Sequence, residues 1–193
     1  TGRIENETKF DKAIHASLAL MSMAARGGDN AGILVFGRKV KKYLPPQRGV
    51  QHFDAVLEAL HDLEPELIEP SYARAFQFIS ANLKKRALVV ILTDLVDKES
   101  SKELLTSLRL LRPRHLPLVA TIGDKDLNST VSKVPADVKE MFVQSAAEEI
   151  IHQRDSALRL VETQGGLALD VNASNLAPRL LETYLKVKER GLL

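Results

Sequence analysis

Ala87-Leu88-Val89-Val90-Ile91-Leu92-Thr93-Asp94-Leu95 decides the reading of this chain. An apolar run rich in β-branched side chains ends abruptly in a hydroxyl and a carboxylate. A strand that is apolar at every position, not at alternate ones, has to be covered on both faces, as in a parallel sheet flanked by helices. In such sheets ligands bind beyond the carboxyl ends of the strands, which is where the run puts Thr93 and Asp94.

The flanking segments agree with that frame. Upstream, Phe10, Ala13, Ile14, Leu18, Met21 and Ala25 recur at helical spacing over Phe10 to Arg26, and Gly27-Gly28-Asp29 stops the helix. Ala31 to Gly37 reads as a second continuous apolar strand. Val40 to Leu44 is expected as its antiparallel partner, closed by Pro45-Pro46, and this hairpin fits a sheet edge. Gln51 to Leu63 is a second amphipathic helix and Glu64-Pro65 ends it. A third helix starts near Ser71, its candidate N-cap, with Phe76, Ile79 and Leu83 on the apolar face and Lys84-Lys85-Arg86 at the C-terminus, where cations complement the helix dipole.

Downstream, a helix runs through Leu104, Leu105, Leu108 and Leu111 to Pro113, and His115 to Gly123 is the next strand. Residues 124–135 read as irregular. A long helix follows from about Pro135 to Gln164, then Gly165-Gly166, a last strand Leu167 to Val171 and a final helix from about Ser174 to Glu189. This alternation predicts an α/β fold, a doubly wound, mostly parallel sheet with helices on both faces and an antiparallel edge strand. A doubly wound sheet ordinarily begins with a strand, so Thr1-Gly2-Arg3 is expected to be the turn after one. Residues 1–193 then form a single domain truncated at its N-terminus.

Composition narrows the function classes. The chain has 193 residues, 45% hydrophobic, with 27 basic and 25 acidic side chains and a net charge of +2. That balance gives no strong field for nucleic acid or anionic membrane. The cations of Arg38-Lys39-Val40-Lys41-Lys42 suit an edge strand that resists edge-to-edge pairing. Neither they nor Lys84 to Arg86 interleave with the aromatic side chains on which single-strand binders stack bases. Without cysteine there is no disulfide, thiolate nucleophile or thiolate metal site. His15, His52, His61, His115 and His152 lack the close pairing of zinc ligands. No apolar run reaches the roughly 18 to 20 residues that span a bilayer.

Several pieces carry a family resemblance when taken in order: Thr1-Gly2-Arg3, Lys9-Phe10-Asp11-Lys12-Ala13, Gly28-Asp29-Asn30-Ala31-Gly32-Ile33-Leu34-Val35-Phe36, and Leu44-Pro45-Pro46-Gln47-Arg48-Gly49. Leu92-Thr93-Asp94-Leu95, Leu110-Leu111-Arg112-Pro113-Arg114-His115 and Lys188-Glu189-Arg190-Gly191-Leu192-Leu193 follow. This succession resembles the C-terminal part of the bacterial domain-of-unknown-function 58 family, whose core is similar to a von Willebrand factor type A domain. The resemblance implies a Rossmann-like fold. It also implies a cytoplasmic domain of a membrane-anchored parent, and a partner that is a MoxR-type AAA+ ATPase.

Type A domains often hold a divalent cation at a metal-ion-dependent adhesion site built from three loops. By this resemblance Asp94 matches the third-loop aspartate, and Ser71 is the nearest hydroxyl to the second-loop position. Mg²⁺, which takes oxygen ligands in an octahedron, is the metal they would hold. The first loop departs from the pattern, because Gly2 and Ile4 fall where serines are expected. The resemblance therefore implies a non-enzymatic interaction module with a degenerate adhesion face made of Arg3, Ser71, Thr93 and Asp94. There Arg3 would donate to a partner carboxylate. The alternative is a metal-dependent phosphohydrolase using Asp94 with Asp97. It would need an acid or base close by, and no Gly-rich phosphate loop accompanies the pair.

Overall fold

The computed structural model describes residues 8–65, 68–94, 98–123 and 125–192. The chain resolves into two compact units, one of residues 1–86 with 174–193 and one of residues 87–173.

The first unit opens with α1 (Lys9–Arg26), whose N-cap Thr8 accepts from Asp11 N while the Asp11 carboxylate accepts from Thr8 N, a reciprocal capping box. The helix closes as anticipated, Gly28 N donating to Ala25 O and Asp29 N to Ala24 O. β1 (Ala31–Phe36) and β2 (Val40–Gln47) form an antiparallel pair, followed by α2 (Val50–His61) and α3 (Tyr72–Asn82). Met21 of α1 and Val56 and Leu60 of α2 make the buried heart of this unit, with Ile14, Leu18, Ile33, Val35, Leu44 and Phe53 packed around it. α7 (Leu176–Glu189) returns from the far end of the chain to lie on α1. There Lys188 and Tyr184 both donate to Asp29, and Lys188 also lies over the Tyr184 ring.

The prolines do not close the hairpin. β2 runs through Pro45 and Pro46 to Gln47, and its register against β1 shifts between Ala31 and Ile33. Gly32 stands at that shift, where a Cβ would come within 2.6 Å of Leu44 O and 2.7 Å of Pro46 N. The absent side chain lets the proline-bearing strand come close at an irregularity, one of the few strand positions where proline is tolerated. The third helix is shorter than expected. It ends at Asn82, with Leu83 already extended, so Lys84-Lys85-Arg86 lies beyond its last turn.

The second unit is the parallel part. β3 (Leu88–Thr93), β4 (Leu116–Gly123) and β5 (Leu167–Asn172) pair in the order β3-β4-β5, both pairs parallel. α4 (Lys98–Ser107), continued by a 3₁₀ turn over Leu108–Leu110, connects the first pair. α5 (Lys125–Ser132) and α6 (Val138–Thr163) connect the second. Crossovers between parallel strands follow a right-handed rule, by which two that step in one direction carry their helices on one face; α4 packs against α6. The α/β class is as expected. Among the described strands the order is sequential, so the reversal point that defines a doubly wound sheet does not fall among them.

Two expectations are corrected in this unit. The strand buried along nearly its whole length is β4, with a neighbour on each side, whereas β3 alternates buried with half-buried positions. Residues 125–132, expected to be irregular, form α5, which packs on α6. Its apolar positions are too few to announce a helix, and the contact with α6 supplies what propensity does not. Among the described residues no helix is long and apolar enough to cross a membrane.

Candidate functional site at the strand ends

β3 delivers Thr93 and Asp94 to the carboxyl end of the parallel sheet, as its sequence predicts. What lies beside Asp94 is not predicted. Arg154, from the middle of α6, brings Nη2 to 3.6 Å from Asp94 Oδ1, an ion-pair distance longer than a hydrogen bond.

The Arg154 side chain is 4% exposed and that of Asp94 32%. A guanidinium this deeply enclosed is expensive unless a counter-charge accompanies it, and Asp94 supplies that charge. α6 holds Arg154 in place because its buried stripe, Ala147, Arg154, Ala157, Leu158 and Val161, repeats at helical spacing. The helix itself is pinned at its start by Asp137, which accepts from Glu140 N at 2.7 Å, while Glu140 accepts from Ala136 N at 2.8 Å.

A pocket of about 180 Å³ opens at the ends of β4 and β5, lined by Gly123, Ile151, Arg154, Asp170, Val171 and Asn172. Asp170 is held on its β4 side by the Thr121 hydroxyl, which donates to Oδ1 at 2.8 Å. Arg154 Nε finds no hydrogen-bond partner among the described residues.

The other anticipated site residues lie outside the second unit or outside the described residues. Ser71 is the N-cap of α3 in the first unit, with extended backbone and no capping bond from its hydroxyl; its N–H donates to Gly37 O. Arg3 and Asp97 lie outside the described residues. The second unit therefore contributes Thr93 and Asp94, and adds Arg154, Asp170 and Asn172, which sequence reasoning missed. Arg154 had left a signal, a cation occupying an apolar slot between Ala147 and Val161, each seven residues away.

These residues do not fit Mg²⁺. The carboxylate that would carry most of the ion's charge already faces a guanidinium, which would repel a dication at the same place. Among the described residues no group of three or more histidine and carboxylate side chains is placed to hold a metal ion.

His52 Nε2 donates to Ala31 O at 2.8 Å, tying α2 to the start of β1. His115, 3% exposed at the entrance to β4, has no hydrogen-bond partner on either ring nitrogen among the described residues. Burial, and then the charge of Arg114, hold its pKa below the ordinary histidine value.

Among curated proteins and among solved structures, no match to the chain was found. A family profile matches residues 2–150, well over half of the sequence. By that match the chain belongs to the family described as Protein of unknown function DUF58.

Proposed function

We propose that the chain is a non-enzymatic protein-interaction module whose contact face lies at the carboxyl ends of the parallel strands, with Asp94 at its centre. The observation that carries this reading is the pairing of Asp94 with the buried Arg154. A carboxylate held and balanced by an internal guanidinium is a fixed, metal-free feature that a partner's hydrogen-bond donors can recognise. A degenerate adhesion face of a type A-like, doubly wound core accommodates this arrangement, and the parallel order β3-β4-β5 with a carboxylate at a strand end supports that finer reading. The partner proposed is a MoxR-type AAA+ ATPase, and the domain is cytoplasmic in a membrane-anchored parent; both follow from the family resemblance. Thr93, at the end of the same strand, belongs to the same face in this proposal; the expectation that Arg3 and Ser71 join it rests on the family resemblance alone.

The test is capture of the ATPase by immobilised wild type, Asp94→Asn, and the double variant Asp94→Ala/Arg154→Met, with and without a chelator. Asn keeps the size of the side chain and removes the charge. Capture should fall about tenfold, the equivalent of one charge-assisted hydrogen bond, in both variants. Chelation should change nothing. Capture that survives loss of Asp94, or that vanishes with the chelator, would defeat the reading.

A further inference from the structure

β5 pairs with β4 along one edge, and among the described strands its other edge has no neighbour. Such an edge presents a row of backbone donors and acceptors ready to pair with another segment. Beside β5 lies a shallow groove of about 270 Å³, walled by Asp155, Leu158, Arg159 and Glu162 of α6 and by Ala168 and Asp170 of β5. Leu158 and Ala168 give it an apolar floor. Its charged lining is three carboxylates against one guanidinium, and Asp155, Glu162 and Asp170 are all exposed.

Asp170 also lines the pocket at the strand ends, where the 4%-exposed Arg154 has an Nε without a partner among the described residues. Charge decides what can occupy the groove. Arg154 is already balanced by Asp94, so another carboxylate would meet the surplus of acid groups, and a phosphate would meet it with more charge still. The Arg154 Nε is buried and closed to an incoming group, whereas cations suit the acidic walls. A polypeptide offers backbone amides to the free edge of β5 and lysine or arginine side chains to the walls.

We infer that this groove binds an extended, lysine- or arginine-bearing segment of a partner protein, which adds as a strand to the free edge of β5. Its basic side chains meet Asp155, Glu162 and Asp170. β5 has six residues, about 20 Å of strand, so the segment is of similar length. Main-chain pairing supplies the affinity and the acidic walls the selectivity, as in other strand-addition sites. This surface does not depend on the Asp94 face proposed above, since neither Asp94 nor Arg154 lines the groove.

The experiment uses fluorescein-labelled short peptides alternating lysine with valine, the glutamate-valine counterpart, and the lysine-valine peptide N-methylated at alternate backbone positions. Binding is read by anisotropy at low and high salt. The basic peptide should bind at least about tenfold more tightly than the acidic one and weaken as salt rises. N-methylation should lower its affinity by a similar factor, because it blocks pairing while leaving the charges. Asp155→Lys/Glu162→Lys, a change of two exposed side chains, should invert the preference between the charged peptides. Equal binding of the N-methylated peptide would rule out strand addition. An unaltered preference in the charge-reversed variant would rule out the groove. Sedimentation showing a dimer that the reversal dissociates, with no peptide binding, would assign the edge to a second copy of the chain instead.

Discussion

Arg154 is the residue on which the strand-end site turns, because it is buried, charged and paired with a carboxylate one-third exposed. Asp94→Ala leaves its charge enclosed without compensation. Breaking a fully buried pair costs about 3–5 kcal/mol, and the partial exposure of Asp94 reduces the expected loss to about 1–3 kcal/mol once solvent screening is allowed for. Adding Arg154→Met removes the orphaned charge and replaces it with an apolar side chain in an apolar stripe. Urea titration should therefore find the double variant more stable than Asp94→Ala alone, and the opposite order would mean that the pair contributes nothing. His115 gives a pH dependence. Its pKa is lowered in the folded protein by burial and by Arg114, so between the unfolded value of about 6.5 and the lower folded value the unfolded chain binds the extra proton. Stability is then fully present above about pH 6.5 and declines as pH falls through that window. His115→Gln should flatten this part of the urea-midpoint profile relative to wild type.

At the scale of elements, α6 shows how local chemistry and packing divide the work. Its start is set by the Asp137 cap, and Asp137→Ala should cost about 1 kcal/mol in urea denaturation. Its end is set by Gly165, which has φ +77 and accepts from Arg112 Nη1 at 2.5 Å. A Cβ there would stand 2.5 Å from Arg112 Nη2 and force the backbone out of a conformation that L residues rarely adopt. Gly165→Ala should destabilise by about 1–3 kcal/mol, measurable by the same titration. The stop at Gly165-Gly166 was legible in the sequence, whereas the start, expected at about Pro135, falls at Val138 behind the Asp137 cap. The course of β2 through two prolines was not. Proline marks a strand end when the partner strand is regular, and only the approach allowed by Gly32 makes an exception here.

At the scale of the molecule, the chain closes the first unit with its last helix after building the second in between. α7 buries Leu176, Leu180, Tyr184 and Val187. At about 1.5–3 kcal/mol for each large side chain, its removal forfeits an amount comparable with the roughly 5–15 kcal/mol that holds a domain together. Deleting residues 174–193 should therefore abolish the cooperative unfolding of the first unit, seen as loss of its share of the calorimetric transition. A truncated chain melting like wild type would show that α7 is dispensable.

Most helices and strands were legible from period and punctuation, because the apolar stripes and the Gly, Pro and cap residues that bound them act over a few positions. So was the placing of Thr93 and Asp94 at the end of a strand in an α/β fold. Tertiary structure alone decided that β4 is the strand covered along nearly its whole length, because that depends on having neighbours on both edges. It alone made α5 a helix, through packing on α6. It also decided that Asp94 faces a guanidinium, since the two charges come from segments far apart in the chain and no local pattern couples them.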